Sequence, residues 1–375
     1  MTLPMQIYLD HNSTTPVDPR VVEAMVPFLG SAFGNPSSAH LFGSTASLAI
    51  EGARQQVAEL VGAEPDDVTF CSSATESINT VISSVTEGRV ITTMVEHAAT
   101  LRAVERLERS GVTVIRLGVD RNGQLDLDTL AREIKEGAAL VSVLWANNET
   151  GVLFPIREIA ELCSLYETPL HVDAVQAGGK IRIDLRDTPI TYLSINAHKC
   201  YGPKGIAALV SSNTGAFRPL LVGGEQEKGR RAGTENVPGI VGFGMAASLA
   251  QREMTSRGGA VRELRDFLEQ EMLRRVADCR VNGSGAARMA NTSNIMFSGV
   301  NGDEVAAMLS ARGIAVSTGS ACHASATEPS HVIRAMTGSY EAAESSVRFS
   351  LSHMHSGAEM QYVLESAVAV VAALR

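Results

Sequence analysis

The run Thr191-Tyr192-Leu193-Ser194-Ile195-Asn196-Ala197-His198-Lys199 decides the fold. Its first five residues predict a strand covered on both faces, and a lysine follows shortly after the apolar stretch stops. In open α/β sheets ligands gather at the carboxyl ends of strands. A lysine there can lose its water, which lowers its pKa and makes a Schiff base feasible. Working outward, short β-rich runs at residues 68–71, 89–93, 112–117, 140–145, 170–172 and 206–210 alternate with helical patterns. That alternation predicts an α/β fold with a mainly parallel sheet covered by helices. After about residue 240 the texture changes to long helical stretches, 260–277 and 358–374, around strands at 293–297, 315–317 and 347–351. A smaller α+β domain is expected there, so the chain divides into a large domain of residues 15–250 and a small one built from 1–14 and 251–375. A length of 375 residues accommodates both.

The composition excludes several classes. With 45% hydrophobic and 19% charged residues the chain reads as a soluble globular protein. A net charge of −9 leaves no basic face for nucleic acid. Residues 1–10 carry no positive cluster followed by an apolar run, and no stretch approaches the roughly 20 apolar residues that span a bilayer. No membrane is expected, and the cytoplasm is the default address. The five cysteines, Cys71, Cys163, Cys200, Cys279 and Cys322, form no C-x-x-C pair, so they read as free thiols in a reducing compartment.

The chain has five lysines. Lys135 lies in a charged helical run, Lys180 and Lys204 follow glycine or proline turns, and Lys228 sits among Glu227, Arg230 and Arg231. Each of these four reads as solvated, which leaves Lys199 as the special one. One strand earlier, His171-Val172-Asp173-Ala174-Val175-Gln176 ends a strand on Asp173, where a carboxylate can pair with a protonated pyridine nitrogen. Ser72-Ser73-Ala74-Thr75-Glu76-Ser77 joins another strand to a helix and offers hydroxyls and free N–H groups to a phosphate. An ordinary N-cap with a capping-box glutamate explains the same residues.

Beyond these signals, Thr14-Thr15-Pro16-Val17, Ala74-Thr75-Glu76-Ser77, Glu96-His97, Asn147-Asn148-Glu149-Thr150-Gly151, His171-Val172-Asp173, His198-Lys199, Gly202-Pro203-Lys204-Gly205 and Arg231-Ala232-Gly233-Thr234-Glu235-Asn236 follow one another in order. Together they resemble the cysteine desulfurases across nearly the whole chain, most of all the nitrogen-fixation, NifS-like branch. The resemblance implies the aspartate aminotransferase-like fold (fold type I) and pyridoxal phosphate carried by Lys199. It further implies that Asp173 holds the pyridine nitrogen, Gln176 reaches the ring hydroxyl and His97 stacks on the ring. Ala74, Thr75, Asn196 and His198 would surround the phosphate. Thr234 would reach the phosphate of a second subunit, which implies a homodimer. Asn148 and Arg348 would receive the substrate.

The reaction depends on a second nucleophile. Cys322 sits in Ser317-Thr318-Gly319-Ser320-Ala321-Cys322-His323-Ala324-Ser325, a run with few apolar anchors, whereas a structural cysteine prefers an apolar strand or helix. Cys200, adjacent to Lys199, is expected to point elsewhere. The stretch resembles the long-loop desulfurases, in which this cysteine takes sulfur from L-cysteine as a persulfide, releases alanine, and passes the sulfur to an acceptor such as an iron–sulfur scaffold protein. No resident metal is expected; an iron–sulfur cluster would meet Cys322 only in passing. Four residues depart from the common pattern: Asn196 for serine, Ala197 and Ser73 for glycine, and His323 for threonine. The chain also ends at Arg375, earlier than many members, so a tail that would meet a scaffold is expected to be shorter. Two other activities fit the same fold, selenocysteine lyase and aminotransferase. A cofactor-free sulfur- or metal-binding module would instead use Cys322, His323, His353 and His355.

Overall fold

The computed structural model describes residues 6–212, 217–319 and 329–375. Strand β1 (Ile7–Tyr8) opens the chain. Seven strands then form one sheet: β2 (Val68–Cys71), β3 (Arg89–Thr93), β4 (Thr113–Leu117), β5 (Leu140–Leu144), β6 (Leu170–Asp173), β7 (Tyr192–Asn196) and β8 (Ala207–Ser211). Their spatial order is β2-β8-β7-β6-β5-β3-β4, and only β8 runs against its neighbours. Every residue of β2, β5, β6 and β8 is buried, as a sheet with helices on both faces requires. The strand order reverses between β3 and β5, and such a switch point opens a crevice at the carboxyl ends.

The last third supplies β9 (Cys279–Val281), β10 (Thr292–Phe297), β11 (Ile314–Ala315) and β12 (Ser346–Ser350). β10 is the centre of an antiparallel sheet with β9 and β12, while β11 pairs in parallel with β1. Two residues past β1, an isolated bridge joins Asp10 to Ser350 at the end of β12, and the opening of the chain is thereby tied to its last third.

The helical expectation for residues 260–277 was too short. One helix runs from Val237 to Arg275, 39 residues, and passes the boundary expected at 250 without a break. It crosses two hydrophobic clusters. Ile240, Phe243, Ala247 and Ala250 join the cluster under the large sheet. Val261, Leu268 and Met272 join a second cluster with Ile7, Leu9, Ile295, Phe297, Val347 and Phe349. The helices His331–Thr337 and Tyr340–Glu344, although late in the chain, contribute Ile333, Met336, Ala342 and Ala343 to the first cluster. Among the described residues, the helix Gly357–Leu374 is long and apolar enough to cross a membrane. Its Met360, Val363, Leu364, Ala367, Val370 and Val371 pack into the second cluster.

Candidate active site

A cavity of about 310 Å³ lies at the carboxyl ends of β2, β3, β5, β6 and β7. Ala74, Thr75, His97, Asn148, Asp173, Gln176, Asn196, His198, Lys199 and Arg348 all line it, together with Asn12, Ser13, Ile78, Leu144, Ala146 and Val175. Two sequence-derived candidates are not among the residues described as lining it. Thr234 lines a separate cavity with Cys71, Glu227 and Arg231. Cys322 lies outside the described residues, as does His323.

Asp173 is the last residue of β6 and is buried, with Oδ1 accepting from the Val175 N–H at 3.0 Å. Burial raises its pKa, while His97 and then Lys199 pull it down by their charge. Lys199 ends the one-turn 3-10 helix that follows β7, and its Nζ donates to the carbonyls of Asn12 at 2.6 Å and Ser13 at 2.7 Å. His97 caps the helix Ala98–Arg109, its Nδ1 accepting from the Ala99 N–H at 3.1 Å. His198 is pushed down to about 4, by burial first and then by Lys199, Lys204 and Lys180, so its ring is neutral near pH 7.

The donors fit a phosphorylated pyridine. The helix Ala74–Ser83 begins at the cavity wall, where its first-turn N–H groups have no partners within the helix. Beside them the Asn196 side chain has Oδ1 buried without a hydrogen bond. Turning that amide over gives up no bond at Oδ1 and offers an N–H to an anion. Asp173, which lines the same cavity, suits a protonated ring nitrogen.

Arg348 is 3% exposed, in the middle of β12. Nη2 reaches Asp10 Oδ1 at 2.6 Å and Ser13 Oγ at 2.9 Å, Nη1 reaches the Asn148 carbonyl at 2.9 Å, and buried Nε has no partner. Arg348 lines the cavity, where a planar guanidinium suits capture of a carboxylate.

Sequence reasoning missed Asn12, which is 2% exposed and joins both parts of the site. Its side chain donates to the Asn148 carbonyl and to Thr292 Oγ1, accepts from Asn291 Nδ2, and its own carbonyl takes Lys199 and Gln176. The polar run Asp10-His11-Asn12-Ser13-Thr14 directly after β1 was the available signal. Lys180 corrects the expectation of a solvated lysine. Its Nζ donates to Gln176 Oε1 at 3.0 Å, and burial brings its pKa down to about 7. Cys200 does point elsewhere: its Sγ lies 3.3 Å from the Ala197 carbonyl, and burial pushes the thiol up to about 12. The module built on His353 and His355 loses a ligand, since His355 uses Nδ1 for the Ser352 N–H and Nε2 for the Tyr8 carbonyl.

Residues 7–363 match the family described as Aminotransferase class-V. The chain belongs to that family. This member of the class-V aminotransferase family, an enzyme by that membership, is 46% identical over 374 residues to a cysteine desulfurase of Trichormus azollae, covering 98% of this chain and 94% of the relative. Among solved structures it resembles a NifS-like protein, with a TM-score of 0.92 and 34% identity over 99% of this chain and 100% of the other. It also resembles SspA in complex with cysteine, with a TM-score of 0.81 and 33% identity over 92% of this chain and 99% of the other.

Proposed function

We propose that the chain is a cysteine desulfurase that holds pyridoxal phosphate in the cavity and moves the sulfur of L-cysteine onto Cys322. The carrying observation is that Lys199, Asp173 and Arg348 line one cavity in a chain 46% identical to a cysteine desulfurase. Pyridoxal phosphate, when bound, supplies the electron sink that allows the Cα–H bond of an amino acid to break. Lys199 carries the cofactor, then removes and returns the proton at Cα. Asp173 keeps the ring nitrogen protonated, and His97 covers the ring. Gln176 and Asn148 meet the ring hydroxyl, and Ala74, Thr75, Asn196 and His198 meet the phosphate. Arg348, with Asn148, orients the substrate carboxylate.

The Cys322 thiolate attacks the substrate sulfur as the substrate's C–S bond breaks. Substrate thiol and enzyme thiol together become alanine and a Cys322 persulfide, so the step balances without an external oxidant. A sulfur acceptor, an iron–sulfur scaffold protein in this reading, then takes the outer sulfur. We further propose a homodimer in which Thr234 completes the partner's phosphate site. Support comes from its place outside the cavity of its own chain and from the exposed apolar side chains of Leu29, Phe33, Leu41, Phe42 and Leu48. The free thiols among the described residues, Cys71, Cys163, Cys200 and Cys279, support a cytoplasmic address.

Purified protein loaded with pyridoxal phosphate, given L-cysteine and a thiol reductant, tests the reading. Equimolar alanine and sulfide are expected, and borohydride is expected to fix the cofactor on Lys199. Formation of a keto acid instead of alanine would make the chain an aminotransferase. Turnover of L-selenocysteine but not L-cysteine would make it a selenocysteine lyase.

A further inference from the structure

Lys180 has no role in the chemistry above, yet it is a half-buried lysine hydrogen-bonded to Gln176, which lines the cavity. Its Nζ donates to Gln176 Oε1 at 3.0 Å, and Gln176 Nε2 in turn donates to the Asn12 carbonyl at 2.9 Å. The same carbonyl accepts from Lys199 Nζ at 2.6 Å, so the two lysines are joined through Gln176 and Asn12.

The anionic ring oxygen and phosphate that the cavity is read to hold favour the charged form of Lys180, and an ammonium group has three donors and no acceptor, so the amide atom facing Lys180 must be oxygen. That settles an orientation which the shape of a glutamine side chain leaves ambiguous. Nε2 then has two N–H bonds, one used by Asn12 and one left for the cavity that Gln176 lines. A flipped amide would set its carbonyl against a ligand oxygen and its NH₂ against an ammonium, and both contacts repel.

We propose that Lys180 is a positioning residue for the cofactor: it locks the amide of Gln176 so that an N–H meets the ring oxygen, and its charge keeps that oxygen ionised. This rests on reading the cavity as the pyridoxal phosphate site. The charged and titratable groups around Lys180 are few. Lys199 and Arg348, which line the large cavity, and the Cys200 thiol interact with Lys180. His11, Tyr201, Arg257 and His353 share a second cavity of about 50 Å³ with it. Both of those histidines are neutral near pH 7, since burial brings His11 down to about 3 and His353 to about 4. Arg257 is already paired with Glu253 and Asp18. Lys180 is therefore the cation on this side of Gln176 that has no carboxylate partner among the described residues.

The test is a pH titration of the visible absorbance of the bound cofactor in wild type, Lys180→Met and Lys180→Arg, each with a thermal melt. Removing a positive charge and unlocking the amide both favour the protonated cofactor. The Lys180→Met midpoint is expected about one unit or more above wild type. Lys180→Arg, also a pure donor, is expected to restore it. Repeating Lys180→Met in a Gln176→Leu background is expected to give less than half that shift. An unchanged midpoint in Lys180→Met overturns the inference, and so does an equal shift in both backgrounds, which would leave Lys180 acting by charge alone. If Lys180→Met does not fold, Lys180→Gln replaces it, with the same two outcomes. A wild type that takes up no cofactor, with nothing on Lys199 after borohydride, would instead bring down the reading of the cavity.

Discussion

Arg348 Nη2 and Asp10 Oδ1 are 2.6 Å apart, although 338 positions separate them in the chain. Asp10 thereby holds one edge of the guanidinium, and Nε is left without a partner. Lysine lacks the planar fork that permits this division of labour. Arg348→Lys is expected to raise KM for L-cysteine about tenfold or more, equivalent to roughly 1.5–3 kcal/mol for hydrogen bonds to a charged group, with a smaller change in kcat. Steady-state kinetics over a range of L-cysteine concentrations check this. An unchanged KM would remove Arg348 from the substrate site.

Glu149 provides a second test. Its buried carboxylate accepts from Ser330 Oγ at 2.5 Å, and a Cβ added at Gly319, whose φ is +82°, would sit 2.3 Å from the same oxygen. Gly319 and Ser330 flank the stretch that contains Cys322. Ser330→Ala leaves a buried carboxylate short of a donor and is expected to cost about 1–3 kcal/mol. Gly319→Ala adds strain at a left-handed position and is expected to cost more. Urea denaturation of both variants measures the difference.

The fold's main lines were legible because the strands are apolar runs whose ends coincide with a change of residue type. β2 and β3 begin and end where the sequence suggested, Asp173 ends a strand and Lys199 follows one, as expected. What was not legible depends on partners distant in sequence. The helix Val237–Arg275 is expected from the sequence only after residue 259, since Gly242, Gly244, Gly258 and Gly259 are poor helix formers. In the fold a Cβ at Gly244 would lie 2.6 Å from Ala53 Cα, and one at Gly242 would lie 2.7 Å from Met25 Sδ, so the glycines permit close helix packing. Lys180 follows two glycines and reads as a turn lysine, and only Gln176, one helical turn earlier, shows otherwise. Asn12 owes its importance to Asn148, Asn291 and Thr292, none of them near it in sequence.

Stability should fall through Glu96 as pH rises from 4.5 to about 8. Its carboxyl is buried, and its folded-state pKa is raised from 4.5 to about 8, chiefly by loss of water. The native state therefore holds a proton that the unfolded state has released. This contribution is complete below about pH 4.5 and lost as pH rises through about 8. Glu96→Gln keeps the shape without the titration and is expected to flatten the urea midpoint across that window. An equally steep pH dependence in the variant would show that Glu96 is not the source.

His171 acts at the acid end. Its ring is buried between Ser142 Oγ at 2.8 Å and Ser194 Oγ at 2.9 Å, and burial lowers its pKa from 6.5 to about 3. Below pH 6.5 the unfolded chain takes up a proton that the native ring refuses, so stability declines from there toward pH 3. His171→Gln removes this titration, and His11, His198 and His353, also lowered, keep part of the slope. A reduced slope between pH 6.5 and pH 3 is expected in urea midpoints, and an unchanged slope would exclude His171 as a contributor.

The transfer of sulfur to Cys322 is tested most directly by mass spectrometry of the peptide that contains it, after the holoenzyme meets L-cysteine without reductant. The expected result is a gain of one sulfur atom on Cys322, reversed by a thiol and absent in Lys199→Ala. Alanine formed at the full wild-type rate by Cys322→Ala, with no added sulfur on Cys322 in the wild type, would contradict it.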